Sequence, residues 1–181
     1  MTYPPIPKLD PDDSHYARCQ VIDTIPVSPK VFFDWYWDEP APNFMRGTLI
    51  VAPIIRVETL PGCTYGNPDE PIIYHFKDGT IAYEHVLKKD LPNGFSYQSW
   101  GYTSPLRVLT DYARVSLEAR ADGENRTKLV WTYDFHVPRR YLMPLARLFA
   151  NYEWRKNLTG ALKVIREHLE KHGAAKRIHQ A

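Results

Sequence analysis

The side chains able to move protons cluster in the middle of the chain: His75 in "PIIYHFK", Glu84 and His85 in "TIAYEHVLKK", and Arg114 in "YARVSLEARA". Among apolar neighbours each is a candidate for acid–base work, because burial drives such groups towards neutral pKa values. Successive residues of a strand point to opposite faces, so Glu84 and His85 cannot act as a dyad. Rings with polar tips surround them. Tyr83, His85, Tyr97, Trp131 and Tyr133 have mostly apolar neighbours at i±2, which assigns them to an expected inner face. Several hydroxyls and one imidazole in an apolar hollow form a pattern suited to orienting a small ligand. No nucleophile elbow, glycine-rich phosphate loop or zinc signature occurs. His168 and His172 stand four apart, a metal-compatible spacing, but without a third ligand nearby and at a helix end where cations are favoured anyway. No metal and no other cofactor is expected.

The elements that must position these groups follow from periodicity. Residues 1–14 carry four prolines and no apolar rhythm, and are expected to form an extended lead-in. "HYARCQVIDTI" alternates as a strand. Ser28 and Pro29 then start a helix, a hydroxyl cap followed by a proline whose missing N–H is harmless there. "EPAPNF" leaves room for one more short helix. From residue 70 the pairs "DG" at 78, "NG" at 93 and "DG" at 122 separate alternating runs rich in Ile, Val, Tyr and Trp, the signature of an antiparallel meander. After Pro144 the period changes. Leu145, Leu148, Phe149, Tyr152, Leu158, Leu162, Ile165 and Leu169 recur at helical spacing, and Gly173 is expected to close a helix of about 43 Å. One apolar sheet face and one amphipathic helix pack economically if the sheet wraps around the helix, and the sheet's twist leaves space between them.

The helix "SPKVFFDWYWD" raises a separate question, because its five rings cannot share one face. Burial between sheet and long helix accounts for most of them. The remainder, Trp35 and Tyr36 above all, are candidates to line a cavity entrance, as are Phe149 and Tyr152 on the long helix.

Composition bounds the function. At 181 residues, 44% apolar and 24% charged, the chain suits one domain, divided as lead-in 1–14, domain 15–173 and basic tail 174–181. Cys19 and Cys63 lie far apart and no charged-then-apolar leader is seen, so a reducing cytoplasm is expected. The apolar run "GTLIVAPII" is far below the roughly 20 residues of a membrane span. Residues 139–181 carry a net charge of +7 against −5 before them, so a basic helix and tail touching an anionic membrane surface or an acidic partner is a rival function. No basic strand with interleaved aromatics points to nucleic acid.

The stretch "PLRVLTDYARVSLEARADGENRTKLVWTYDFHV", followed by a proline-started helix ending in "GALKVIREHLE", resembles the START and birch-pollen-allergen superfamily (SRPBCC), in particular its polyketide cyclase/dehydrase-like bacterial branch. Weaker support comes from "VIDTIPVSPKVFFDWYWD" as first strand and helix, and together the matches span about 16 to 171. The resemblance implies an α+β helix-grip fold, a curved antiparallel sheet of six to seven strands around the long C-terminal helix, with two short helices after the first strand. It also implies an elongated apolar cavity that receives lipid-like or aromatic molecules. Its members include carriers, cyclases and hydratase-like enzymes, so binding, catalysis and the basic surface all stay open as functions, as does a homodimer. Two departures stand out. "VETLPGCTYGNPDEP" is longer than the family's usual hairpin, and the first helix is unusually aromatic.

Overall fold

In the computed structural model, residues 3–64, 66, 67 and 70–178 are described, with side chains described as far as Lys171. Seven strands form one antiparallel sheet: β1 (Tyr16–Ile25), β2 (Ile54–Thr59), β3 (Ile72–Phe76), β4 (Ile81–Asp90), β5 (Gly94–Trp100), β6 (Tyr112–Ala121) and β7 (Thr127–His136). Their order across the sheet is β1-β7-β6-β5-β4-β3-β2. The chain therefore leaves one edge after β1, crosses to the other, and returns strand by strand until β7 pairs with β1. Helix α1 (Pro29–Asp38) makes the first part of that crossing. Its start is the expected one, with Ser28 as N-cap and proline at N1. The second short helix is a single 3-10 turn, Ala41–Asn43.

The C-terminal rod has three parts: α2 (Met143–Phe149), one π-helical turn over Ala150–Trp154, and α3 (Arg155–Ile178). It does not end at Gly173. A π turn holds more residues than an α turn and so rotates every later side chain about the axis. Met143, Ala146, Ala150 and Trp154 face the core, followed by Leu158, Leu162, Ile165 and Leu169. Leu145, Leu148 and Tyr152, expected on the buried stripe, are 51%, 55% and 70% exposed. Arg155 donates to the Gln20 carbonyl at 2.9 Å and Arg166 pairs with Asp23 at 2.9 Å, which ties basic residues of the rod to β1. The basic tail's side chains fall outside the described residues.

Both sheet faces are covered. The concave face presents Phe95, Tyr97, Val115, Leu117, Leu129, Trp131, Tyr133 and Phe135, all buried. Opposite, the lead-in crosses the convex face and binds it through its backbone. Trp100 Nε1 donates to the Pro4 carbonyl at 3.2 Å, Gln98 Nε2 to that of Pro7 at 2.9 Å, and Tyr16 Oη to that of Asp10 at 2.8 Å. The Asp10 amide in turn donates to Tyr112 Oη at 2.8 Å. The Asp10 carboxylate lies 2.6 Å from His15 Nδ1 and 3.4 Å from His136 Nε2, and the His15 contact leads the causes that hold its pKa down at about 2. These three residues bring potential metal-ligand atoms within 4.8 Å of one another. The Arg140 guanidinium donates to His15 Nε2 at 2.6 Å and sets a positive charge against the trio, which acts as a clasp for the lead-in.

A chain starting at Asp10 loses the two indole and amide partners and uncovers Trp100. It is expected to show a lower urea midpoint and red-shifted tryptophan emission with its far-ultraviolet circular dichroism kept. An unchanged midpoint would show that the lead-in does not stabilise the sheet.

Candidate ligand-binding site

Sheet and rod enclose a cavity of about 240 Å³. It lies between the middle of the concave face and the π-turn segment of the rod, with Tyr36 and Phe44 closing one side. The segments that rim it are the stretch 45–52 and the connection between β5 and β6, which contributes Tyr102, Leu106 and Leu109 and carries a 3-10 turn over Pro105–Val108. Gly47, at φ +71°, makes the first of these possible, since a Cβ there would meet the Val51 carbonyl oxygen at 2.4 Å. Thr48 Oγ1 donates to Glu153 Oε2 at 2.9 Å and pins that segment to the π turn.

The polar groups inside are few. Glu84 projects from β4 and is 8% exposed. Tyr74 Oη donates to its Oε1 at 3.1 Å. Burial pushes the Glu84 carboxyl up to about 8, against the opposite pull of that hydroxyl, so it is protonated at neutral pH. Tyr97 and Tyr133 share a 2.6 Å hydrogen bond between their hydroxyls, and Trp131 Nε1 donates to Tyr97 Oη at 3.2 Å. Burial raises both phenols well above their ordinary pKa, and they stay neutral. On the rod, Trp154 Nε1 and Asn157 Oδ1 are buried without hydrogen-bond partners among the described residues. Both residues line the cavity.

Of the residues expected to bind ligand, Tyr36, Tyr97, Trp131, Tyr133 and Phe149 line this space. Trp35 lies outside it, its ring tilted against that of His168 at 5.4 Å beside a separate polar groove. Tyr152 points to solvent. Tyr83 and His85 are corrected in placement, for both sit on the convex face. Tyr83 packs on Trp100 at 5.8 Å, and His85 Nε2 lies 3.2 Å from Gln98 Oε1 beneath the lead-in. The cause is that both faces of β4 are buried, so "Tyr, His, Leu" looked more interior than "Ala, Glu, Val". Pairing settles the parity, because Glu84 aligns with Ser99 and Tyr83 with Trp100. Glu84 enters as an acid–base candidate, while Trp154 and Asn157 went unnoticed. Asn157 carried a signal: it is a polar residue set between Trp154 and Ala161 on the apolar stripe.

No family model matches the sequence, and no curated protein matches it. Solved structures do. Ara h 8.0201 superposes with a TM-score of 0.66 at 17% identity over 86% of this chain and 99% of its own. Ginseng major latex-like protein 151 from Panax ginseng gives 0.63 at 16% identity, over 85% and 97%. This chain has the birch-pollen-allergen (Bet v1-like) helix-grip fold. Norcoclaurine synthase from Thalictrum flavum, solved with dopamine and hydroxybenzaldehyde, carries the same helix-grip fold at TM-score 0.62 and 12% identity, over 95% and 98%.

A carboxyl with a raised pKa binds a proton in the folded chain that the unfolded chain has lost between about pH 4.5 and 8. Stability contributed by Glu84 is therefore full below that window, falls across it, and is gone above it. Glu84→Gln is expected to flatten this decline, on the order of a few kcal/mol by urea titration at pH 5 and pH 9. Equal slopes in the two proteins would contradict a buried, uncompensated carboxyl.

Proposed function

We propose that the protein binds a small, largely apolar molecule in the cavity between sheet and rod. The observation that carries this is an interior space of about 240 Å³ walled mainly by rings and aliphatic side chains, with the buried Glu84 carboxyl in its wall and two lining residues, Trp154 and Asn157, whose buried polar atoms have no partner among the described residues. A well-packed core leaves few voids larger than water and pairs its buried polar groups. The volume lies below the roughly 300–1,000 Å³ of pockets for drug-sized ligands, which suits one or two fused rings or a short chain. A structural neighbour of the same fold, norcoclaurine synthase, has been solved in complex with two small aromatic molecules, dopamine and hydroxybenzaldehyde, which supports a guest of that size and character. Affinity would come from apolar burial, about 25 cal/mol per Å² before the losses of association.

An enzymatic alternative, a cyclase or dehydratase-like activity in the same cavity, is favoured by Glu84. A carboxyl held neutral beside an apolar guest is placed to give a proton to a developing oxyanion or leaving hydroxyl. His85, under the lead-in, is out of reach. Catalysis would require Glu84→Gln to lower kcat by about 100-fold or more while Kd is kept, with His85→Ala leaving both unchanged.

Binding of the neutral fluorophore N-phenyl-1-naphthylamine tests the main reading. Ala82, on the cavity floor beside Glu84, is 2% exposed. Ala82→Phe and, as a second plug, Ser99→Leu are expected to weaken the fluorophore at least about tenfold with circular dichroism intact, equivalent to about 1.4 kcal/mol. Affinity untouched by both plugs in folded protein would place binding elsewhere.

A further inference from the structure

We propose that the cavity selects its guest by charge and by two hydrogen-bonding poles: it takes an uncharged molecule with a carbonyl-type acceptor facing Glu84 and a hydroxyl facing Trp154 and Asn157, and rejects a carboxylate of the same shape. The inference rests on the cavity being the binding site and goes on to name what that site recognises.

Charge comes first. Among the described residues no Lys, Arg or His lines the cavity, and its carboxyl-bearing side chains are Glu84 and, at the rim, Asp78. An anionic guest would shed its hydration with no cation to meet it, and the single neutral carboxyl of Glu84 offers one hydrogen bond against that loss. The basic residues that could have served are spent elsewhere. Arg18 and Arg114 converge on Asp134 across the convex face at 2.7 and 3.1 Å, and Arg155 and Arg166 hold the rod to β1.

The first pole is Glu84. Its Oε1 accepts from Tyr74, and a carboxyl carrying its proton has one O–H left to donate. A guest carbonyl is the simplest acceptor for it. At the second pole, Trp154 Nε1 offers a donor and Asn157 Oδ1 an acceptor, both buried, at 9% and 4% residue exposure, and both without partners among the described residues. They are three residues apart, hence on one side of the rod. A hydroxyl is the smallest group that both accepts and donates, and it satisfies the two atoms together. Leaving them empty carries the usual penalty of orphaned buried polar groups, which a site built to hydrogen-bond turns into discrimination against guests lacking the group. Glu84, Trp154 and Asn157 are thus the specificity determinants, and the ring layer of Tyr97, Trp131 and Tyr133 between them is the apolar body of the site.

Displacement of N-phenyl-1-naphthylamine at pH 6.5 by three matched compounds tests this: 6-hydroxy-2-acetonaphthone, 6-hydroxy-2-naphthoate and 2-acetonaphthone. The hydroxyketone is expected to bind at least about tenfold tighter than the hydroxynaphthoate and several-fold tighter than the ketone without hydroxyl. Asn157→Leu, and separately Trp154→Phe, are expected to bring the ratio of hydroxyketone to 2-acetonaphthone affinity down to about one, whatever each change does to the affinity for both. The naphthoate binding as tightly as the ketone overturns the charge selection. A hydroxyl advantage that survives both variants, or displacement by none of the three, overturns the assigned poles. Failure of the fluorophore itself to bind, or its indifference to Ala82→Phe and Ser99→Leu, overturns instead the cavity reading beneath them.

Discussion

A straight rod laid against a bent sheet cannot touch it everywhere, and the molecule is organised around that mismatch. Contact is close where the rod's later turns, Leu158, Leu162 and Ile165, meet the sheet through large buried side chains. Beside Phe149, Trp154 and Asn157 a gap stays open, and it is bordered by rings too stiff to collapse into it. Rings give large buried area for few rotatable bonds, so they can wall a hollow without filling it. The Tyr97, Trp131 and Tyr133 hydrogen bonds fix that wall further, since turning one ring inward would orphan a buried hydroxyl or indole N–H.

The first helix answers to the same geometry. Phe32, Phe33 and Tyr36 are buried under the sheet's edge of the hollow, whereas Trp35 and Trp37 are only half-buried. Trp37 packs on Phe95 at 4.9 Å with Lys89 Nζ 4.1 Å from its ring, and Gly66 of the long β2–β3 connection fits so closely that a Cβ would lie 2.6 Å from the indole. The two unusual features of the sequence, the aromatic helix and the long connection, therefore explain one another as a cap over the sheet. Neither of these two indoles enters the hollow. The π turn plays the matching part on the rod. By rotating the helix it brings Trp154 and Asn157 inward and turns Leu145, Leu148 and Tyr152 out.

The convex face shows why a sheet covered on both sides misleads a pattern-based reading. On β7 the alternation was clear, because Lys128 and Thr132 contrast with Leu129, Trp131 and Tyr133. On β4 it was not, because the lead-in buries the outer face and permits Tyr83 and His85 there. A proline-rich segment without regular structure can do this because its carbonyls, unable to pair with one another, are free to accept from Trp100, Gln98 and Tyr16.

Periodicity and turn chemistry determined the strands of the meander, the Ser28–Pro29 helix start, the long terminal helix and the grip of sheet on rod, since each is a local pattern whose physics acts within a few residues. Half of the cavity wall was legible in the same way, as rings alternating on β5 and β7. The parity of β4, the phase of the rod after its π turn and the burial of Glu84 were decided only in three dimensions. Each depends on what a distant segment covers, and alternation or helical spacing cannot register a partner that lies 80 or more residues away in the chain, as Pro7 does from Gln98.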